Sequence, residues 1–412
     1  MITRRAALLG GAAAATLPLS LEASAAAPAF DPASALPHKD AFFPFEGVYM
    51  NSASQHPLSR GARAAIDRYL DYKTFSGDSD FSNGAVRQRI MENYATLIGA
   101  DVDEICFVQS TTVGENLILK ALDIPYRPGR VVTDELHFIG SLPTYSELEK
   151  LGMDVVTIRA SEDGSIDMDR FEEAIDDNTR LVSVSLVSTI NGYEHDLKRL
   201  CEIAHAQGAL VYADVIHGVG STPFNVRETG VDFASAATYK WLMAEMGLGF
   251  MYVRKDRLDD IRRPWWGHGQ LARWEPLGFP NPEYSDVITN YEHRDSALGY
   301  FAMGTQANLI ASQLDYSLDY LLKTGVERIQ AYRQPLLDRL RDELPGLGYP
   351  TITPEGTRTA LISFRHDGNA EALHNRLKDA GITISVSRHH MRISPSVFND
   401  MDDIERLIDV LS

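Results

Sequence analysis

Short β-branched or apolar runs alternate with helical segments over the first two thirds of the chain, and this alternation constrains the fold most. "EICFVQS" (104–110), "RVVTDE" (130–135), "DVVTIRA" (154–160), "RLVSVSLV" (180–187), "ALVYAD" (209–214) and "LGFMYV" (248–253) have the length and make-up of strands. Before and between them, "RGARAAIDRYLDY", "VRQRIMENYATLIGA", "TVGENLILKAL", "YSELEKLG", "DRFEEAI" and "DLKRLCEIAHAQG" repeat apolar residues at helical spacing. Helix and strand taking turns predict an α/β fold, a mostly parallel sheet with helices on both faces. In such sheets ligands bind at the carboxyl ends of the strands.

The pattern changes near residue 305. One long helical stretch (307–344) leads into "ALISFRH", "AEALHNRLKDAG", "ITISVS", "MRISPS" and a last helix "MDDIERLIDVL", which predicts a smaller α+β C-terminal domain. Residues 262–288, rich in Trp, Gly and Pro, read as a long loop. The expected organisation is a segment over the active site at 38–60, a large cofactor-binding domain at 61–304 and a small domain at 305–412. A chain of 412 residues has room for both domains.

The first 27 residues read as a signal peptide. Arg4-Arg5, a short apolar stretch and Ala23-Ser24-Ala25 carry the twin-arginine and cleavage features of export to the periplasm. The apolar run is shorter than the roughly 20 residues of a spanning helix. A net charge of −18 disfavours nucleic acid and anionic membranes as partners. The two cysteines, Cys106 and Cys201, fall in apolar patterns that suit buried thiols; spacing alone leaves a pairing open.

The strand ends carry the chemistry. After the first strand, Ser110, Thr111 and Thr112 begin a helix, where free N–H groups and hydroxyls suit a phosphate; an ordinary N-cap is the alternative. His137 and Phe138 follow the second strand, and either could stack on a flat ring or pack in the core. Asp214 ends an apolar strand and needs a cationic or hydrogen-bonding partner, with His217 three residues on; no further metal ligands stand at a recognisable spacing. Lys240 lies in "DFASAATYKWLMAEMGLGF" (232–250), where a lysine either snorkels or serves as an amine able to form a Schiff base. A phosphate site, a pyridinium partner, a stacking group and a reactive lysine together describe pyridoxal 5′-phosphate (PLP).

"YMNSASQHPLS" (49–59), "STTVGENLILKAL", "AHAQGALVYADVIHGVG", the Lys240 stretch, "FAMGTQANL" and "MRISPSVFN" resemble the class V aminotransferase group of fold-type I PLP enzymes. That group includes cysteine desulfurases, kynureninases and isopenicillin N epimerase-like proteins. The resemblance implies a homodimer in which Lys240 carries the cofactor and serves as general base, Asp214 holds the pyridine nitrogen protonated, and His217, with Thr189 as a further candidate, lies near its phenolic oxygen. Thr111, Thr112, Thr238 and Tyr239 would hold the phosphate with Thr305 of a second subunit; Phe138 would stack, with His137 as the alternative. Arg392 would bind the substrate carboxylate, and Asn51 and His56 would line the substrate side.

Two departures stand out. Desulfurases of this group use a cysteine in the loop before the carboxylate-binding arginine, whereas here "SVSRHHMRIS" has none. Tyr239 replaces the His that usually precedes the lysine. The sequence therefore leads to an aminotransferase or epimerase acting on an amino acid or peptide-like small molecule. The alternatives are a lyase or peptide-tailoring enzyme and a PLP-binding protein without turnover. His389 and His390 are either substrate contacts or solvated loop histidines.

Overall fold

The structure, a computed structural model, describes residues 30–75, 81–280, 286–366 and 368–412. The expected signal peptide lies outside the described residues. A seven-stranded sheet runs, in spatial order, Ile105–Val108, Gly249–Val253, Phe233–Ala237, Leu210–Asp214, Thr179–Ser185, Arg130–Asp134 and Asp154–Ile158. Gly249–Val253 is antiparallel to both neighbours, and the remaining pairs are parallel. This is the expected α/β sheet. Its central strands are buried throughout, while the edge strand Asp154–Ile158 is largely accessible, so the apolar runs mark the middle of the sheet.

Phe233–Ala237, a central strand, has no strand signature in the sequence because "FASAA" lacks β-branched residues. Its small side chains serve packing instead. The helix Thr111–Ala121 closes on it so tightly that a Cβ on Gly114 would stand 2.2 Å from Ser235 Oγ. That contact fixes the start of the helix above the strand ends.

Two other expectations change. The single helical stretch breaks at Gly325, whose φ of +84° suits glycine, into Asn308–Thr324 and Val326–Glu343. The supposed loop (262–288) contains one strand, Leu271–Pro276, of an antiparallel ribbon whose other strand, Thr289–His293, follows the loop. Both its faces meet solvent, so no apolar alternation announced it.

A three-stranded antiparallel sheet, in the order Ile362–Arg365, His390–Ile393, Ser385–Val386, lies toward the C-terminus. Met391 and Ile393 join a core with Leu337, Leu340, Phe364 and Leu407. Strand alternation then puts His390 and Arg392 on the other face. Val48–Tyr49 pairs in parallel with Ile382–Thr383, and Asn51 bridges Ser394, which ties the 48–51 segment to this sheet. Cys106 and Cys201 are both free and buried. No described helix is long and apolar enough to cross a membrane.

Candidate active site

Lys240 follows the buried Phe233–Ala237 strand and is only 7% exposed. Its Nζ stands 2.8 Å from His217 Nε2. Burial lowers the Lys240 pKa to about 8; Asp214 opposes this, and the Arg392 charge adds to it. Burial, then the charges of Lys240 and Arg392, hold His217 well below the usual imidazole range. A neutral His217 that accepts from Lys240 carries its proton on Nδ1, and that buried atom has no partner. Asp214, at the end of Leu210–Asp214, accepts from the Ile216 amide at 3.0 Å. Burial pushes its carboxyl up to about 6 because no cation bonds to it directly.

The helix Thr111–Ala121 begins at the same strand ends. Ser110 is its N-cap, with Oγ accepting from the Val113 amide at 3.3 Å. The amides of Thr111 and Thr112 precede the first intrahelical bond and point outward, which makes an anion site. Thr111 is buried and Thr112 exposed. Tyr239 is half-buried, its ring centroid 5.6 Å from Lys240 Nζ. Thr238 is not brought to this cradle. Its side chain is fully buried and donates to the Glu245 and Leu248 carbonyls at 2.8 and 2.9 Å, which leaves no proton for a phosphate.

Arg392 forms the opposite wall. Its Nη1 donates to the Thr189 carbonyl at 3.0 Å and to Thr189 Oγ1 at 2.6 Å. Its Nη2 donates to Ser54 Oγ at 2.7 Å, and Ser54 donates on to Asn51 Oδ1 at 2.8 Å. Among the described residues Nε is buried without a partner and no carboxylate neutralises the group; burial lowers its pKa to about 10. Thr189 therefore orients Arg392 in this state rather than lying free beside a cofactor ring.

His56 is not offered to a substrate. Its Nδ1 bonds to the Pro57 carbonyl and its Nε2 to Ser396 Oγ, and burial lowers its pKa to about 4. It packs edge-on against Trp241 as part of the wall behind Lys240. His390 shares the strand face of Arg392, whereas His389 is exposed. Thr305 is exposed and lines a separate cavity of about 410 Å³ with Gly84, Arg87, His268 and Gly304. Within one chain it does not join the Lys240 cluster.

His137 and Phe138 occupy the turn after Arg130–Asp134. His137 is fully buried, bonded through Nδ1 to Ser185 Oγ at 2.8 Å and through Nε2 to Glu115 Oε1 at 2.9 Å. Phe138 is half-buried, and its amide donates to Ser185 Oγ at 3.1 Å. Sequence reasoning missed Glu115, Ser185 and Ser54. An acid among the buried positions of "TTVGENLILKAL" was the signal available for Glu115.

The model of the family described as "Aminotransferase class-V" matches residues 64–407. A relative named cysteine desulfurase, from Haloferax volcanii, is 26% identical over 390 residues, covering 88% of this chain and 88% of its own length. An uncharacterized aminotransferase, YcbU of Bacillus subtilis, is 25% identical over 368 residues, covering 88% of this chain and 92% of its own. The solved apo structure of a cysteine desulfurase from Thermococcus onnurineus NA1 has the same fold, with a TM-score of 0.79, 23% identity, and 92% and 98% of the two chains covered. Membership of this family gives the cofactor as PLP; one neighbour of the same fold, 17% identical with a TM-score of 0.76, is described with glycine covalently linked to its own PLP cofactor. The residues fit it: an uncompensated buried carboxylate suits a pyridinium, the orphaned His217 Nδ1 suits an oxygen, and the amides of Thr111 and Thr112 suit a phosphate. By match, fold and donor set alike, this chain belongs to the class V aminotransferase family.

Proposed function

We propose that this protein acts at the α-carbon and amino group of an amino acid, or of a larger molecule carrying one, as an aminotransferase or an epimerase. Bound PLP supplies an electron sink for the bonds at the α-carbon. Lys240 would hold the cofactor through its amine and would move the substrate's α-proton as general base. Its low pKa keeps a share of the amine neutral near pH 7, as a nucleophile and base must be. Asp214 would pair with the pyridine N–H, and His217 would donate from Nδ1 to a cofactor oxygen. Thr111, Thr112 and Tyr239 hold the phosphate, with Thr305 supplied by a second copy of the chain. The turn carrying His137 and Phe138 walls the ring. Arg392 presents its fork to the substrate carboxylate, with Asn51, Ser54 and Thr189 as its supports.

The observation that carries this reading is the buried Lys240–His217 contact at 2.8 Å, facing an arginine that has no anionic partner among the described residues. Relatives named cysteine desulfurase do not extend that activity to this chain. The chain has two cysteines, and burial raises the pKa of both thiols. Neither belongs to the 385–392 segment beside Arg392, so a persulfide route lacks its thiolate. The twin-arginine segment supports export of the folded, cofactor-loaded protein to the periplasm.

Incubating the holoenzyme with amino acids and short peptides in deuterated water tests the reaction. Deuterium at the α-carbon, with or without a keto acid, supports the reading and separates transamination from epimerisation. Ammonia with a fragment of the substrate would replace it by a lyase. Sulfide from cysteine with a persulfide on the protein would overturn the exclusion of desulfurase chemistry.

A further inference from the structure

A second buried charge constellation lies directly behind the proposed cofactor site, and no step above uses it. Glu115, in the second turn of Thr111–Ala121, is 2% exposed. Its carboxylate accepts from four side chains: His137 Nε2 at 2.9 Å, Ser141 Oγ at 2.6 Å, Ser183 Oγ at 3.3 Å and the Tyr145 hydroxyl. Such a satisfied set is what a buried carboxylate needs to stay ionised. The other nitrogen of His137 reaches Ser185 Oγ, which also accepts from the Phe138 amide. Ser185 is the register partner of Asp214 across the sheet. One hydrogen-bonded path therefore runs from Glu115 through His137 and Ser185 to the turn at Phe138, with Asp214 beside Ser185 in the sheet.

We propose that Glu115 is a positioning residue that holds His137 as a fixed imidazolium, and that this buried cation orders the cofactor-facing turn and sets the field around Asp214. The groups that face His137 are Glu115 from the helix, Asp134 from its own strand, Asp214 from the neighbouring sheet position and the Tyr145 ring, 5.9 Å between centroids. Asp134 in turn lies 3.2 Å from His195, and Asp214 faces Lys240. Burial pushes His137 down, but the Glu115 bond and charge, followed by Asp134 and Asp214, outweigh it and raise its pKa. Burial pushes Glu115 up, and His137, Ser141 and Tyr145 bring it below the usual carboxylate range. Hydrogen bonds alone admit a neutral imidazole that accepts from Ser185, so the three carboxylates decide the charge.

The field part of this inference rests on the reading that PLP lies beside Asp214; the charge on His137 does not. Nitrogen NMR of histidine-labelled protein without cofactor reads that charge directly. Both ring nitrogens of His137 should be protonated at pH 7 and lose a proton only above the range of a free histidine. A neutral ring at pH 7 overturns the proposal in the wild type, with no variant needed. In Glu115→Gln the ring should drop to one proton. In the loaded protein, the pH midpoint of the cofactor's visible band should then rise by about one unit, since of the two charges lost with the pair the His137 cation acts more strongly at Asp214 than the Glu115 carboxylate. Ser141→Ala, which removes one hydroxyl from Glu115, is the structural control and should leave the midpoint in place. A Glu115→Gln midpoint equal to wild type would sink the field part. A protein that stays colourless with PLP would sink the functional reading while leaving the NMR result standing.

Discussion

Burying Lys240 against a neutral His217 makes its protonated form costly, and stability should record this. Its pKa falls from 10.5 to about 8 on folding, so between those values the unfolded chain holds a proton that the folded one does not. Lys240 thus destabilises the cofactor-free protein below about pH 8, and the penalty fades as pH rises toward 10.5. Lys240→Met should therefore raise the apoprotein's stability at pH 7, by up to about 3 kcal/mol, with the gain shrinking above pH 8. Thermal melts across pH measure this, and a pH-independent gain would count against the burial argument. The same variant should no longer be fixed to its cofactor by borohydride. At Arg392, a lysine keeps the charge but loses the two-pronged geometry that Thr189 and Ser54 hold in place. Arg392→Lys should raise the amino-acid KM by about 10-fold or more while leaving the cofactor colour intact; loss of colour instead would place Arg392 at the cofactor.

Elements differed in how plainly the chain announced them. Six of the seven sheet strands were apolar or β-branched runs and could be read directly, because a strand buried on both faces needs such residues. Phe233–Ala237 could not, since its alanines and serine were selected by the closeness of the helix Thr111–Ala121. Gly114 is where that closeness can be tested. Gly114→Val would drive a side chain into Ser235 and force the helix away from the sheet. We expect a loss of about 1–3 kcal/mol in a melt, together with weaker PLP binding by fluorescence titration, because the displaced helix carries Thr111 and Thr112. A variant with normal PLP affinity would show that the helix start does not hold the phosphate. Thr238 teaches the converse. It stands two residues from Lys240, yet its hydroxyl is consumed by the Glu245 and Leu248 carbonyls, a fact of loop closure that spacing cannot express.

For the whole molecule, the site of one chain lacks Thr305, which faces a cavity elsewhere on the same chain. If a second copy supplies it, light scattering should give a dimer, and Thr305→Val should lower PLP affinity several-fold while the dimer persists. An active monomer would remove Thr305 from the site. By itself the sequence determined the alternating α/β plan, the candidate cofactor residues at the strand ends, and the absence of a loop cysteine near Arg392. Those follow from local periodicity and from residue chemistry, which a linear string carries. Only the tertiary structure decided that His56 is sealed behind Trp241, that Thr189 and Ser54 hold Arg392, and that Glu115 grips His137. These pairs join residues 22 to 338 positions apart, and hydrogen bonding and burial select them only once the sheet has brought their elements together.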